Sequence, residues 1–244
     1  MAADYDTIAQ QYKKSKELPF RLHIETYTYL NLLGDVTGKS ILDLACGEGF
    51  YSRELKRKGA TRVVGVEISE KMIELATQEE AREPLGVEYI LSDVLELGKI
   101  GSFDLVVASY LLNYCQTPEQ ALKICQNIFA NLKPGGRFVT INNNSEQPPA
   151  SYLLTKKYGF IKSIDRPLQE GTPIQYTISV DTDKFSFYNY YLSKSTYEWA
   201  LQSAGFKEVR WQKPLVSPQG VEEFGQEFWQ VFLEYAPIIF IECS

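Results

Sequence analysis

Between residues 31 and 142 short apolar runs alternate with helix-type segments, and this rhythm limits the chain to few folds. The runs are Ser40-Ile41-Leu42-Asp43-Leu44-Ala45, Val63-Val64-Gly65-Val66-Glu67, Val87-Glu88-Tyr89-Ile90-Leu91, Phe103-Asp104-Leu105-Val106-Val107-Ala108 and Gly136-Arg137-Phe138-Val139-Thr140-Ile141. Near-continuous apolar character suits strands buried on both faces. Helical segments are predicted at 49–58, at 69–82 behind Ser69 as N-cap, and at 118–131 behind Thr117-Pro118. Such β–α alternation implies right-handed crossovers and an α/β fold with a mostly parallel sheet covered on both faces.

The flanks read differently. Residues 7–33 suggest two helices parted near Pro19, and the polar stretch 142–149 marks a boundary. Beyond it come strand candidates at 174–180 and 185–192, a helix at 195–204 ended by Gly205, and strands at 206–212 and 237–243. The period of two puts Phe185, Phe187, Asn189 and Tyr191 on one side of their strand and Ser186, Tyr188 and Tyr190 on the other.

Composition narrows the function. The 25 basic and 31 acidic residues of this 244-residue chain leave a net charge of −6, which disfavours a nucleic-acid partner. No apolar run approaches the roughly 20 residues that span a bilayer. Met1-Ala2-Ala3-Asp4-Tyr5-Asp6 lacks a basic-then-apolar signal pattern, so no membrane partner and a cytoplasmic location are expected. Cys46, Cys115, Cys125 and Cys243 form no regular framework and are expected as thiols. With His23 the single histidine, no metal site is expected and a His-centred triad is hard to build.

Three strand ends suggest a ligand site. Asp43-Leu44-Ala45-Cys46-Gly47-Glu48-Gly49 runs from a buried strand through a glycine-containing turn into a helix, where backbone amides can approach a ligand closely. Ala45 and Phe50 fit the G-x-G-x-x-G dinucleotide fingerprint badly. Glu67 ends the second strand, where a carboxylate can accept both hydroxyls of a ribose or simply cap the next helix. Asp93, after the third strand, can accept an adenine amine beside Val94, or be an ordinary strand-end residue. Their order at successive strand ends carries more weight than any one of them.

These stretches, with Phe103-Asp104-Leu105-Val106 and Leu132-Lys133-Pro134-Gly135-Gly136, resemble the class I S-adenosylmethionine-dependent methyltransferases over residues 36–142. Ala45 stands where that family most often has Gly, and Ala is a common variant there. The resemblance implies a Rossmann-like seven-stranded sheet of order 3-2-1-4-5-7-6 with its last strand antiparallel. It also implies S-adenosyl-L-methionine as cofactor, with Asp43, Ala45, Gly47 and Gly49 around the methionyl group, Glu67 on the ribose, and Asp93 and Val94 at the adenine. Tyr12 and Arg21 would reach the methionine carboxylate, and Ile68, Met72 and Ser109 would complete the cofactor site. Phe185–Tyr188, Trp211–Leu215 and Phe228–Phe232 are further similar to N-methyltransferases of the toxoflavin-biosynthesis type, which implies a planar nitrogen heterocycle as acceptor.

The organisation expected is an N-terminal helical lid at 1–35, a cofactor-binding core at 36–142, a substrate-cap insertion at 143–194 and a C-terminal completion of the sheet at 195–244. The reaction implied is displacement at a sulfonium methyl by a lone pair of a small aromatic or heterocyclic acceptor, on N or O, helped mainly by alignment and water exclusion. Tyr110, Asn113, Tyr114, Asn142, Phe187, Tyr188 and Trp229 are the candidate acceptor contacts, several of them equally suited to core packing. No nucleophile stands out; His23 and Tyr114 are the candidates for proton transfer. A protein or RNA methyltransferase and a non-catalytic cofactor-binding protein compete with this reading, a nicotinamide dehydrogenase more distantly. A monomer or homodimer is expected.

The aromatic residues bear on the acceptor. Of 32, only 8 lie in residues 31–150, against 5 in 1–30 and 19 in 151–244. Trp199, Phe206 and Phe240 are expected in the core; Phe185, Phe187, Tyr188, Tyr190, Tyr191, Phe228 and Trp229 are expected as an aromatic wall over the methyl donor.

Overall fold

The computed structural model describes residues 5–244; Met1–Asp4, part of the N-terminal pattern and of the lid expected above, lie outside the described residues. Helix α1 (Tyr5–Lys14) leads through a 3-10 turn and a π-helical turn (Arg21–Thr26) into α2 (Tyr27–Leu33). The break falls beside Pro19, as expected from its missing amide donor.

Then β1 (Ser40–Leu44), α3 (Phe50–Arg57), β2 (Arg62–Glu67), α4 (Glu70–Arg82), β3 (Val87–Leu91), β4 (Phe103–Ser109), α5 (Pro118–Ala130) and β5 (Leu132–Asn143) alternate as the apolar rhythm predicts. Ser69 and Thr117 cap α4 and α5, their side chains accepting from the amides of Met72 and Gln120. Strand β5 is longer than the six residues anticipated, because Leu132 pairs with Phe103 across an irregularity before regular pairing resumes.

The chain leaves the sheet at Asn143 and builds a second, antiparallel sheet from β6 (Phe160–Ser163), β7 (Pro173–Val180) and β8 (Asp183–Tyr190). It returns through α6 (Lys194–Ala204), β9 (Val209–Gln212), α7 (Pro218–Phe224), α8 (Gln226–Tyr235) and β10 (Ile238–Cys243). The large sheet has the order β3-β2-β1-β4-β5-β10-β9, parallel through β5, with β10 antiparallel to both neighbours. Renumbered without the cap strands, this is 3-2-1-4-5-7-6, the expected α/β arrangement.

Alternate residues of the inner strands enter two separate cores, while the edge strands β3 and β9 each contribute to one. Ile41, Val63, Leu105, Val139 and Phe240 face one side, packed with α2, α8 and the inner face of the cap. Leu42, Val64, Val106, Phe138 and Ile241 face α5 and α6 on the other. A period of two on a sheet buried on both faces requires this division. Phe206 and Phe240 are buried as expected, whereas Trp199 is 45% exposed: it lies on the outer side of α6 rather than in the core. The cap strand β8 alternates as predicted, with Phe185, Phe187 and Asn189 buried and Ser186 and Tyr188 exposed.

Strand order reverses between β1 and β4, so connections leave to opposite sides and open a crevice at the carboxyl ends of the strands. Helix α1 lies along α4 with Ala9 against Met72 and Leu75, which brings Tyr5 and Tyr12 over that crevice. The cap sheet covers the neighbouring end.

Candidate active site

The turn after β1 is conformationally unusual. Ala45 has φ of 54°, in the left-handed region that disfavours a side chain, and Gly47 follows at 57°. The Gly47 amide donates to Glu67 Oε2 at 3.0 Å, while Glu67 Oε1 accepts from Ile68 and Ser69 at 2.9 and 3.0 Å. One carboxylate therefore ties the β1 turn to the end of β2. Burial pushes the Glu67 carboxyl up, opposed by these amide bonds. Lone pairs on Oε2 remain to accept from hydroxyls.

A cavity of about 210 Å³ opens beside this turn. Ala45, Gly47, Glu67, Ile68, Met72, Asp93, Val94 and Ser109 line it, together with Tyr12, Tyr110 and Tyr114. Asp93 holds its own loop by accepting from the Leu95 amide at 2.9 Å. Ser92, of the Ser92-Asp93-Val94 motif after the third strand, lines it too, as do Gln116, Gln120 and Ile124; the reading of strand ends did not reach these three, the last two of which stand on α5, well along the chain.

Two expected members of the turn sit behind the wall. Asp43 is buried, accepts from Ser52 Oγ at 2.6 Å and is pushed up to about 7 by burial. Gly49 caps α3 at φ 79°, and a Cβ there would strike the Tyr89 ring, so its need for glycine is steric.

A second, tighter cavity of about 30 Å³ lies between the sheet ends and the cap. Tyr5, Tyr12, Tyr110 and Tyr114 line both cavities and form a collar where they meet. Phe20, Phe160, Tyr176 and Phe187 supply aromatic wall on the cap side, and Arg21, Asn143 and Asn189 its polar groups. Tyr5 and Tyr176 were missed by sequence reading, since only the tertiary fold carries them here.

Behind the collar, Glu25 is fully buried and saturated. It accepts from Arg21 Nη1 at 3.0 Å, Tyr51 at 3.0 Å and Tyr110 at 2.5 Å, with Lys16 Nζ at 3.5 Å. Burial pushes the carboxyl up, and the Arg21 and Lys16 charges with the two tyrosine bonds outweigh that and hold it below its usual range. Arg21 lines only the cap-side cavity, not the larger one that the resemblance implies for it.

Other candidates are placed elsewhere. His23 packs against α7, its Nδ1 3.1 Å from Ser217 Oγ, in a depression sharing no residue with either cavity. Trp229 is fully buried, donates to the Gly220 carbonyl at 2.8 Å and stacks on Tyr158, so it belongs to the core. Tyr188 is 50% exposed on the outer face of the cap, the side its strand period dictates. Asn113 and Asn142 are buried near the site but line neither cavity. Tyr114 alone of the two proton-transfer candidates reaches the collar.

Residues 41–136 match the family model described as a methyltransferase domain. Residues 41–136 thus carry a methyltransferase domain, on a sheet ordered as in the class I S-adenosylmethionine-dependent methyltransferases. The chain is 27% identical to the N-demethylindolmycin N-methyltransferase of Streptomyces griseus over 169 residues, 69% of this chain and 70% of that protein. It is 33% identical to the demethylmenaquinone methyltransferase of Lactococcus lactis over 153 residues, 59% of each protein. A crystal structure of an S-adenosylmethionine-dependent methyltransferase from Mesorhizobium loti shares the fold, with a TM-score of 0.66 at 21% identity, covering 94% of this chain and 99% of that one. The cofactor of this methyltransferase is S-adenosylmethionine, and the larger cavity suits it. The space where a Gly47 Cβ would project is clear of neighbours, and Glu67 and Asp93 stand on the wall. Among the described residues no helix is long and apolar enough to cross a membrane.

Proposed function

We propose that this methyltransferase modifies N or O of a small aromatic or heterocyclic acceptor held under the cap sheet. The observation that carries this reading is the collar. Four tyrosines border both cavities, so a ligand in the larger one and a ligand in the smaller one would meet there. In the larger cavity Glu67 takes the ribose, Asp93 and Val94 the adenine, and Ala45, Gly47, Met72, Ile68, Ser109 and Tyr12 the remainder. The bound cofactor supplies an activated methyl group.

The chain's own contribution is alignment and exclusion of water. The hydroxyls of Tyr5, Tyr110 and Tyr114 are held protonated by burial and supply no base; Tyr110 already donates to Glu25, and the hydrogen-bonded Tyr5–Tyr114 pair has one proton left to donate. Residues 143–194 act as the acceptor cap and the N-terminal helices as a lid, since Phe160, Tyr176 and Phe187 come from the first and Tyr5, Tyr12 and Phe20 from the second. A flat ring suits walls of this kind through area burial and offset π contacts. The names of the two relatives, which describe transfer to small molecules, support this acceptor class, and the similarity of the C-terminal motifs supports a nitrogen heterocycle within it.

The test is a methyl-transfer screen of azaheterocycles, phenols and amines, read by formation of S-adenosylhomocysteine. Turnover of a ring acceptor that fails after Phe187→Ala supports the reading. Turnover confined to peptides or RNA overturns it.

A further inference from the structure

The cap-side cavity is walled mainly by rings, yet two hydrogen-bond donors on its wall have no acceptor among the described residues. They are Arg21 Nε–H and the Tyr176 hydroxyl. Arg21 is 4% exposed and Tyr176 6%. The other polar pair there is satisfied, with Asn143 Nδ2 donating to Asn189 Oδ1 at 2.9 Å. A buried donor left without an acceptor is destabilising. Both residues line the same cavity, and two orphaned donors on such residues point to a ligand that accepts from both.

Charge defines that ligand further. Arg21, on the cavity wall, shares the Glu25 carboxylate with Lys16, so its charge is only partly offset by that acid. Lys162, whose amine pKa is lowered by burial, lies 5.0 Å from the Tyr176 ring and is occupied by Gln147 Oε1 and the Pro237 carbonyl, so the positive charge at the cavity wall is that of Arg21. The guanidinium offers no acceptor at all, and burial keeps the Tyr176 proton in place, so that each has a hydrogen to donate. These surroundings suit an anionic oxygen and reject a cation.

We infer that Arg21 and Tyr176 select the methyl acceptor by its carboxylate, so that the acceptor is a planar ring bearing that group. The inference rests on the reading that the acceptor binds beneath the cap. The cavity of about 30 Å³ holds a small polar group, and the ring then lies toward the tyrosine collar, where the two cavities meet. Arg21 is thereby assigned to the acceptor and not to the methionine carboxylate, in line with the cavity it borders. Both are specificity-determining residues.

The full chain, saturated with S-adenosylhomocysteine, is titrated calorimetrically with benzoate, benzyl alcohol and benzylammonium. Benzoate is expected to bind at least about tenfold tighter than either competitor, equivalent to about 1.4 kcal/mol. Tyr176→Phe and Arg21→Lys should each weaken benzoate about tenfold and leave S-adenosylhomocysteine affinity unchanged within about twofold. Tyr176→Phe decides the matter alone if Arg21→Lys unsettles the ion pair with Glu25. Equal binding of benzyl alcohol or benzylammonium overturns the inference but leaves the acceptor site under the cap. Loss of S-adenosylhomocysteine binding in Arg21→Lys with benzoate unaffected also overturns it, and returns Arg21 to the cofactor. Failure of all three rings to bind overturns the acceptor site itself.

Discussion

The hydroxyl of Tyr5, on the first turn of α1, is hydrogen-bonded to the hydroxyl of Tyr114 in the turn after β4, 109 positions along the chain. Asp6, one residue on, accepts from Ser69 Oγ at 2.5 Å and from the Lys71 amide at 3.1 Å at the start of α4. The N-terminal helix is thus fastened at both sides of the crevice. Tyr5→Phe removes one fastening worth about 0.5–1.5 kcal/mol. Global stability should change little, while the dissociation rate of S-adenosylhomocysteine rises severalfold in stopped-flow measurements. An unchanged rate would mean that α1 does not govern exit from the cavity.

Glu67 makes three amide hydrogen bonds besides its place on the cavity wall. Glu67→Ala should weaken S-adenosylhomocysteine binding by about 1–3 kcal/mol, the loss expected when charge-assisted partners are orphaned. It should also lower stability, since the β1 turn loses its tie to β2. Calorimetry reads the first effect and urea unfolding the second; affinity equal to wild type would remove Glu67 from the ribose.

Lys162 provides a pH test. Burial pushes its amine down to about 7. Between that value and the ordinary lysine range the unfolded chain binds the proton and the folded chain releases it, so this site makes stability rise with pH. The slope approaches about 1.4 kcal/mol per pH unit. Buried thiols such as Cys115 and Cys125 are pushed up and oppose it at the alkaline end. The comparison that isolates Lys162 is therefore wild type against Lys162→Met, unfolded in urea at pH 7.5 and 9.5. The gap between the two proteins should narrow or reverse in favour of wild type as pH rises; a constant gap contradicts the burial assigned to the amine.

His23 and Trp229 separate folding from catalysis. His23→Gln should leave methyl transfer unaltered at every pH, because the ring faces Ser217 and Glu223 away from both cavities. Trp229→Ala should cost about 3–5 kcal/mol of stability through the void left in the core. A changed pH–rate profile in His23→Gln would restore it as a proton carrier.

The half of the site at the strand ends was legible because its residues are placed by local pattern. Glu67 and the Ala45–Gly47 turn each follow a buried run and Asp93 follows the apolar edge strand β3, and the sheet delivers them to one edge. The cap was harder to read. Strand β6 is four residues long and carries Lys162 facing inward, so no apolar alternation announces it. Helices α7 and α8 fall among crowded aromatics whose spacing reads as a binding wall as easily as a helix, which is how Trp229 came to be expected at the acceptor. Tyr188 was assigned by its neighbours' composition although its strand period already turned it outward. Tyr5 and Tyr176 reach the cavities only through long-range packing.

The cap leaves the main sheet after Asn143 and comes back at Lys194, touching the catalytic edge through contacts such as Asn143 with Asn189. The residues on which the donor's nucleoside would rest lie outside that excursion. Substitutions within about fifty consecutive positions can therefore retune which molecule is modified while the affinity for the methyl source stays fixed. A protein built this way can diversify its products without renegotiating its reagent.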